Sequence, residues 1–140
     1  MSLLTVFIVE DSTTVRQNLQ ATLEECAPVR VVGYAETSGE AISSLLRTDP
    51  PCDLAIVDVM LREGTGVEVL VALQRAESRI KRVVLTNYAT PLIRDHCLAL
   101  GADRVFDKSA EIEGLLDYCG LLAGEGDGPD GLRSRWPTAA

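Results

Sequence analysis

Thr5-Val6-Phe7-Ile8-Val9-Glu10-Asp11 is a short apolar run that ends in two acidic residues. Its content of Val, Ile and Phe predicts a β-strand that is buried on both faces. The inward positions that follow, 15, 19, 22 and 23, have the spacing of one helix face and predict a helix over residues 12–25. The segment therefore starts a strand–helix unit, and its acidic pair lies at the carboxyl end of the strand.

Four more units of this kind follow along the chain. The further predicted strands, each again buried on both faces, span residues 29–34, 54–57, 82–85 and 104–106. The further predicted helices begin at Ser38, near Val67, at Pro91 and at Ala110; the second ends at Asp49-Pro50-Pro51 and the fifth at Leu122. Five alternating units are too few for a closed eight-fold barrel. We therefore predict an α/β fold: an open, doubly wound, flavodoxin-like (βα)5 parallel sheet with strand order 2-1-3-4-5.

Length and charge narrow the functional classes. The 140 residues suit one domain, and a net charge of −8 argues against direct binding of nucleic acid or of an anionic membrane surface. No apolar run approaches the roughly 18 residues of a membrane span, and no export signal is visible, so we expect a cytoplasmic protein with reduced cysteines. Residues 1–123 form the predicted domain. Residues 124–140, which are acidic, rich in glycine and include Trp136, are expected to be a flexible tail.

Polar side chains follow four strands that adjoin one another in the predicted sheet. Glu10 and Asp11 follow the first strand, Asp58 the third, Thr86 the fourth and Lys108 the fifth. Ligands of open parallel sheets bind beyond the carboxyl ends of the strands, so we expect these side chains to share one crevice. Singly, each has a structural explanation, such as a helix cap at Asp11 or a turn at Asp58. Together, the carboxylates would repel one another, and a hard divalent cation such as Mg²⁺ relieves that repulsion.

Carboxylates, Mg²⁺, a lysine and a hydroxyl suit phosphoryl transfer, in which positioning and charge neutralisation supply most of the catalysis. The sequence contains no Walker A motif and no G-x-G-x-x-G loop between a predicted strand and a predicted helix, so a bound nucleotide is not the expected donor. A carboxylate is able to act as the nucleophile and form an acyl phosphate. Asp58, which stands alone on the middle strand, is the candidate nucleophile.

These segments resemble the receiver domain of two-component response regulators, including those of chemotaxis response proteins. The resemblance covers about residues 4–122 and is carried by Val6-Phe7-Ile8-Val9-Glu10-Asp11, Leu54-Ala55-Ile56-Val57-Asp58, Val83-Val84-Leu85-Thr86 and Gly101-Ala102-Asp103-Arg104-Val105-Phe106-Asp107-Lys108. It implies that Asp58 is the phospho-acceptor. It further implies that Mg²⁺ is the cofactor, held by Glu10, Asp11, Asp58 and the backbone carbonyl of Met60.

The resemblance also implies a switch and its partners. Thr86 would be the switch hydroxyl, Lys108 the charge partner of the phosphoryl group, and Phe106 an aromatic that leaves a solvent-facing rotamer after phosphorylation. The donor would be a phosphohistidine on a sensor histidine kinase or a phosphotransfer protein. The output face would lie on the fourth helix, fifth strand and fifth helix, and would bind a downstream protein or a second copy of the chain. Its expected residues are Leu92, Asp95, His96, Arg104, Phe106 and those near Glu111.

Three residues depart from the family pattern. Arg62 stands where proline is frequent, so we expect a looser loop after Asp58. Asn87 follows the switch threonine where a small residue is common, and we expect it to alter dephosphorylation. Ser109 replaces the usual proline after Lys108, and because a cis bond before serine costs about 2.5–4 kcal/mol, we predict a trans bond there.

Two other functions stay open at this point. One is a Mg²⁺-dependent phosphatase with an aspartyl nucleophile, although such enzymes usually carry the nucleophile after the first strand with a second Asp two positions on, where this chain has Thr13. The other is a receiver-like adaptor that works without phosphorylation. The leading expectation is a stand-alone receiver that is no turnover enzyme and signals through phosphorylation-dependent protein contacts.

Overall fold

The computed structural model of the chain describes residues 3–47 and 51–126. Five strands alternate with five helices along the chain. In order they are β1 (Leu4–Val9), α1 (Thr13–Cys26), β2 (Val29–Ala35), α2 (Ser38–Leu45), β3 (Leu54–Val57), α3 (Gly66–Arg75), β4 (Lys81–Thr86), α4 (Pro91–Ala99), β5 (Arg104–Asp107) and α5 (Ile112–Gly126). None of these described helices is both long enough and apolar enough to cross a membrane.

All five strands join one parallel sheet in the order β2-β1-β3-β4-β5, which confirms the predicted topology. One core cluster lies between the sheet and the pair α1 and α5, with Leu23 and Leu115 fully buried in it. Two further clusters pack α2, α3 and α4 against the sheet. The register aligns Val9 with Val57 and Val57 with Val84, so the residues that follow β1 and β3 lie side by side.

Side-chain caps determine where the first four helices begin. The N-cap residues are Ser12, Thr37, Thr65 and Thr90, and in each the hydroxyl accepts a hydrogen bond from a backbone N–H in the first turn. Ser12 thus precedes the first helix instead of opening it. Such caps satisfy N–H groups that have no partner within the helix. Ser12, Thr65 and Thr90 lie in connections that follow strands carrying the site.

The prediction that every strand is buried on both faces is wrong for the two edge strands, β2 and β5, and in β5 only Val105 is buried. β1, β3 and β4 are almost wholly buried, whereas exposed and covered positions alternate along β2. β2 is an edge strand, and its register with β1 shifts between Val6 and Phe7, so Val32 and Tyr34 face solvent. A run of Val residues does not reveal whether a strand lies at the edge, because that depends on the order of strands in the sheet.

The end of α2 and both ends of α5 differ from the predicted ones. α2 ends at Leu45, and Asp49 and Pro50, which were expected to terminate it, lie outside the described residues. α5 begins at Ile112 instead of Ala110, because the Asp107 carboxylate accepts the N–H groups of Ser109 and Ala110 and shapes a turn there. α5 continues to Gly126, into the segment assigned to the tail. The remainder of that segment, with Trp136, lies outside the described residues.

Candidate functional site

The site lies at the carboxyl edge of the sheet. Glu10 follows β1, Asp58 follows β3, Thr86 ends β4 and Lys108 follows β5. Backbone hydrogen bonds fix their relative positions: the Asp58 N–H donates to the Val9 carbonyl at 3.0 Å, and the Lys108 N–H donates to the Thr86 carbonyl at 3.0 Å. The strand order therefore brings together side chains that lie far apart in the sequence, as expected for an open parallel sheet.

Lys108 joins the two buried carboxylates at the centre of the site. Its Nζ lies 2.5 Å from Glu10 Oε1 and 2.7 Å from Asp58 Oδ2. Only 15% of the lysine side chain is exposed, against 6% for Glu10 and 9% for Asp58. Burial opposes the charged form of the ammonium, but the hydrogen bonds and charges of Asp58 and Glu10 outweigh it, so the pKa of Lys108 is raised. Lys108 therefore stays protonated at neutral pH.

Backbone N–H groups hold the other oxygen of each carboxylate. The Ser12 N–H donates to Glu10 Oε2 at 3.0 Å, and the Met60 N–H donates to Asp58 Oδ1 at 3.2 Å. The loop after Asp58 is thus folded back over the carboxylate that begins it. Donors on both oxygens fix the orientation of Asp58, and the main chain of Met60 lies beside it.

The donor set fits a hard divalent cation in its chemistry. Glu10, Asp11 and Asp58 supply only oxygen atoms, and Lys108 offsets just part of their negative charge. Among the described residues, however, no three acidic, histidine or cysteine side chains converge on one point, and Asp11 has no hydrogen bond or ion pair. Binding of an ion there requires these side chains to rearrange around the Lys108 bridge.

Thr86 is fully buried at the end of β4. Its hydroxyl oxygen accepts a hydrogen bond from the Tyr88 N–H at 3.1 Å. No acceptor for the hydroxyl proton is found in the described part of the chain. Thr86 lies beside Asp107 in the sheet, next to Lys108. Its hydroxyl proton is free within the described residues, so the hydroxyl is suited to donate to an anion that enters the site.

The side chain of Phe106, the expected switch aromatic, has intermediate exposure. Its ring is partly buried against the core, with its centroid 6.4 Å from that of Tyr118. Gly114 of α5 makes this placement feasible, because a Cβ there would lie only 3.1 Å from the ring. The sequence analysis did not single out Gly114, and a glycine inside a predicted helix is the signal that could have identified it.

The loop after Asp58 is attached to the β2–α2 junction, in contrast to the looser loop expected from Arg62. The Ser38 N–H donates to the Glu63 carbonyl at 3.1 Å, and Arg62 pairs with Glu36 across 3.5 Å. Ser38 Oγ also donates to Glu68 of α3 at 2.7 Å. No described peptide bond is cis, so the bond between Lys108 and Ser109 is trans, as predicted.

The sequence analysis missed Arg16 and placed Val15 in the core. Val15 is 37% exposed, whereas Arg16 is buried and donates to the Glu10 carbonyl at 3.1 Å. The guanidinium of Arg16 also contacts Glu36 and Tyr34. A cation in the first turn of a helix opposes the helix dipole, and this conflict is the signal that could have drawn attention to Arg16.

Comparison with known proteins extends this description. Residues 6–119 match the family model described as the response regulator receiver domain. The transcriptional regulatory protein YvfU of Bacillus subtilis is 28% identical over 112 residues, which cover 80% of this chain and 55% of YvfU. A putative transcriptional regulator of Pseudomonas aeruginosa is 31% identical over 131 residues, which cover 92% of this chain and 62% of that protein. The chain thus spans little more than half the length of these relatives.

Solved structures agree in fold. The signal receiver domain of the putative response regulator NarL from Mycobacterium tuberculosis has a TM-score of 0.74 at 21% identity, covering 85% of this chain and 98% of that one. A chain in the crystal structure of the CheX–CheY–BeF₃–Mg complex from Borrelia burgdorferi is also similar, with a TM-score of 0.73 at 18% identity. The match covers 81% of this chain and 84% of that one. With the fold, the site and a family model that matches most of the sequence in agreement, the chain belongs to the response regulator receiver domain family.

Proposed function

We propose that this receiver domain accepts a phosphoryl group on Asp58 from a phosphohistidine of a sensor histidine kinase or phosphotransfer protein. The observation that carries the proposal is the buried Asp58 carboxylate held at 2.7 Å by Lys108 beside Glu10. A carboxylate oxygen of Asp58 attacks phosphorus, a P–O bond forms, and the P–N bond to the donor histidine breaks. The electron pair of the broken bond stays on the imidazole, which leaves as the neutral ring once it is protonated.

Glu10, Asp11, Asp58 and the backbone carbonyl of Met60 are the groups proposed to hold Mg²⁺. Bound there, the ion would neutralise charge on the phosphoryl oxygens. Lys108 would pair with one phosphoryl oxygen once it exchanges its 2.7 Å bond to Asp58 for that contact. The buried hydroxyl of Thr86 would donate its proton to another. Each of these groups acts by charge or by position, and none is proposed to activate a water that would hydrolyse the acyl phosphate. We therefore propose one phosphoryl transfer per cycle instead of enzymatic turnover.

The proposal is tested by incubating the chain with acetyl phosphate and measuring its intact mass with and without Mg²⁺. We expect a gain of about 80 Da, one phosphoryl group, only when Mg²⁺ is present. Asp58→Asn should abolish the gain. Asp117→Asn, which changes an exposed carboxylate on α5, is the matched control and should gain the same mass as the unmodified sequence. An adduct of equal yield on the Asp58→Asn variant would show that another residue is the acceptor.

The rival function, a phosphatase, makes a different prediction. An enzyme with an aspartyl nucleophile would hydrolyse many equivalents of a generic phosphate ester such as p-nitrophenyl phosphate. We expect release of product to remain near one equivalent per chain. Sustained turnover that is lost in Asp58→Asn would favour the phosphatase.

We further propose that the output is protein contact in the cytoplasm, through α4, β5 and α5. Leu92 on α4 is 78% exposed, so this face offers an apolar side chain that a partner would cover. Asp95, His96 and Arg104 on the same elements are also exposed, as is expected for an interaction surface with a polar rim. A downstream protein or a second copy of the chain would bind there.

A further inference from the structure

Arg16 is a buried cation at a position that disfavours one. It lies in the first turn of α1, where the N–H groups of the helix end already carry partial positive charge. Only 8% of its side chain is exposed, so the guanidinium has also lost most of its hydration. Both costs must be offset by specific contacts, and these contacts lie next to the acidic pair of the site.

The guanidinium of Arg16 contacts three groups. Its Nη1 donates to the backbone carbonyl of Glu10 at 3.1 Å and to Glu36 Oε2 at 3.2 Å. Its Cζ lies 3.8 Å from the centre of the Tyr34 ring, a cation–π contact. A planar guanidinium can make all three contacts at once, whereas a lysine ammonium could not keep the stacking and both hydrogen bonds.

The Glu10 carbonyl belongs to the peptide that joins Glu10 to Asp11. The other groups of Glu10 are held as well: its N–H donates to the Ala35 carbonyl at 3.0 Å, and its carboxylate meets Lys108 and Ser12. Asp11 has no such partner among the described residues. The orientation of Asp11 therefore depends on the peptide that Arg16 holds.

Glu36 fixes Arg16 from the opposite side. Its carboxylate is 27% exposed and also pairs with Arg62, 3.5 Å away in the loop that follows Asp58. The N–H of Glu36 donates to Glu40 at 3.0 Å, which attaches the backbone of Glu36 to α2. Glu36 thus links the guanidinium of Arg16 to the loop that follows Asp58.

We propose that Arg16 is a positioning residue, which holds the Glu10–Asp11 peptide so that the acidic pair can bind a divalent cation, and that Glu36 orients Arg16 for this role. This inference rests on the proposed function, because it assumes that the acidic pair binds the metal. Arg16 touches neither the cation nor the phosphoryl group. It acts through the backbone, as outer partners of metal ligands do.

Charge and position predict opposite effects for removal of Arg16. If Arg16 affected the site only through its charge, its loss would make the site more negative and Mg²⁺ would bind more tightly. If Arg16 positions the acidic pair, its loss frees the Glu10 carbonyl and the Asp11 backbone, and Mg²⁺ binds more weakly. The sign of the change therefore separates the two roles.

The test measures binding of Mg²⁺ alone by isothermal titration calorimetry, with no phosphoryl donor. We expect Arg16→Met to weaken Mg²⁺ binding by about ten-fold, the low end of what loss of an outer partner usually costs. Arg30→Met removes an exposed arginine of β2 whose side chain has no hydrogen bond within the described part of the chain, and it should leave binding unchanged. Unchanged or tighter binding in Arg16→Met would overturn the proposal.

A second variant keeps the test decisive if Arg16→Met fails to fold. Glu36→Gln preserves the shape and an acceptor oxygen but removes the charge that orients Arg16. We expect Mg²⁺ binding to weaken by less than the roughly ten-fold of Arg16→Met, because Arg16 itself is retained. Glu63→Gln removes an exposed charge from the Asp58 loop and is the matched control. Equal weakening of Mg²⁺ binding in Glu36→Gln and Glu63→Gln would overturn the role of Glu36, because loss of one negative charge would then explain both effects. If the unmodified chain binds no Mg²⁺ and gains no phosphoryl group, it is the proposed function that fails.

Discussion

Lys108 is the positive charge that compensates two buried carboxylates of the site. Glu10 and Asp58 are each bonded to it at 2.7 Å or less. Removal of one partner from a buried ion pair costs more than the pair contributes, because it leaves uncompensated charge behind. The site thus depends on Lys108 for stability as well as for chemistry.

We expect Lys108→Met to lower the free energy of unfolding by about 3 kcal/mol at pH 7. Urea denaturation measures this, with Lys81→Met as control, since Lys81 is the other lysine of the chain and is exposed. Added Mg²⁺ should stabilise Lys108→Met more than the unmodified chain, because both cations neutralise the same carboxylates. Equal losses in the two lysine variants would contradict this account of the site.

The raised pKa of Lys108 sets the pH range of this effect. The ordinary pKa is 10.5, and contacts with Asp58 and Glu10 move the folded value upward. The stabilising contribution is therefore complete below pH 10.5 and is lost only as the pH rises through the higher folded value. The difference between Lys108→Met and the unmodified chain should consequently stay constant from pH 6 to pH 9.

The cysteines should differ in reactivity in the order of their burial. Burial raises the pKa of Cys52 and of Cys119 to about 12, and it raises that of Cys97 as well. A raised pKa lowers the thiolate fraction, and the thiolate is the reactive form. At pH 8 we expect iodoacetamide to label exposed Cys26 first, as measured by peptide mass spectrometry. Cys26→Ser should remove the fast phase, and a fast phase that persists would contradict the burial of the other three.

At the scale of elements, the β3–α3 connection determines how Asp58 is presented. Gly66, the first residue of α3, packs directly on the Asp58 backbone, and its N–H donates to the Val59 carbonyl at 3.0 Å. A Cβ at Gly66 would lie 2.2 Å from the Asp58 carbonyl oxygen. Such a contact is impossible without movement of one of the two segments, so a side chain at position 66 forces α3 and the acceptor loop apart.

We expect Gly66→Ala to lower the free energy of unfolding by about 1–3 kcal/mol, the usual cost of an overpacked site. It should also slow acetyl phosphate labelling of Asp58, because the loop that carries Asp58 is displaced. Gly39→Ala is the matched control: Gly39 lies in the first turn of α2 with no atom within 4 Å of its would-be Cβ. That variant should be neutral or more stable by up to about 1 kcal/mol. Unimpaired labelling in Gly66→Ala would contradict the proposed tie between α3 and the site.

At the scale of the whole molecule, Arg94 connects the site to the proposed output face. Its guanidinium donates to the carbonyls of Ala89 at 3.0 Å and Val105 at 3.1 Å, and it pairs with Glu111 at 2.7 Å. Glu111 in turn accepts the N–H of Asp107 at 2.8 Å. The loop after Thr86 is thereby joined to β5 and to the start of α5, and we propose that these bonds carry a movement at Thr86 to the face formed by these elements.

We expect beryllofluoride with Mg²⁺, a mimic of the phosphoryl group, to change amide hydrogen exchange in α4, β5 and α5. The Thr86 hydroxyl would turn to donate to the mimic, and the space it leaves beside β4 would admit Phe106. Thr86→Ala should keep the change near Asp58 and lose it in α4 and β5. Changes confined to the Asp58 loop in the unmodified chain would mean that α4, β5 and α5 are not the output face.

Local sequence was sufficient to predict the order of the elements, the strand order and the residues at the carboxyl ends of the strands. Glu10, Asp58, Thr86 and Lys108 could be identified because short apolar runs mark buried strands, and the residue after each run must lie at one edge of a parallel sheet. The trans bond before Ser109 also follows from local chemistry. These properties depend on covalent structure and on patterns within one element.

Tertiary packing was needed for everything that depends on which element lies beside which. Lys108 bridges Glu10 and Asp58 across fifty residues or more of sequence, and no local pattern contains that geometry. Val15 and Arg16 are adjacent, yet Arg16 is the buried one, because Glu36 and Tyr34 on the β2 side receive its guanidinium. Burial, side-chain rotamers and charge pairing are settled by contacts between distant segments, whereas helices and strands are favoured by contacts between near ones.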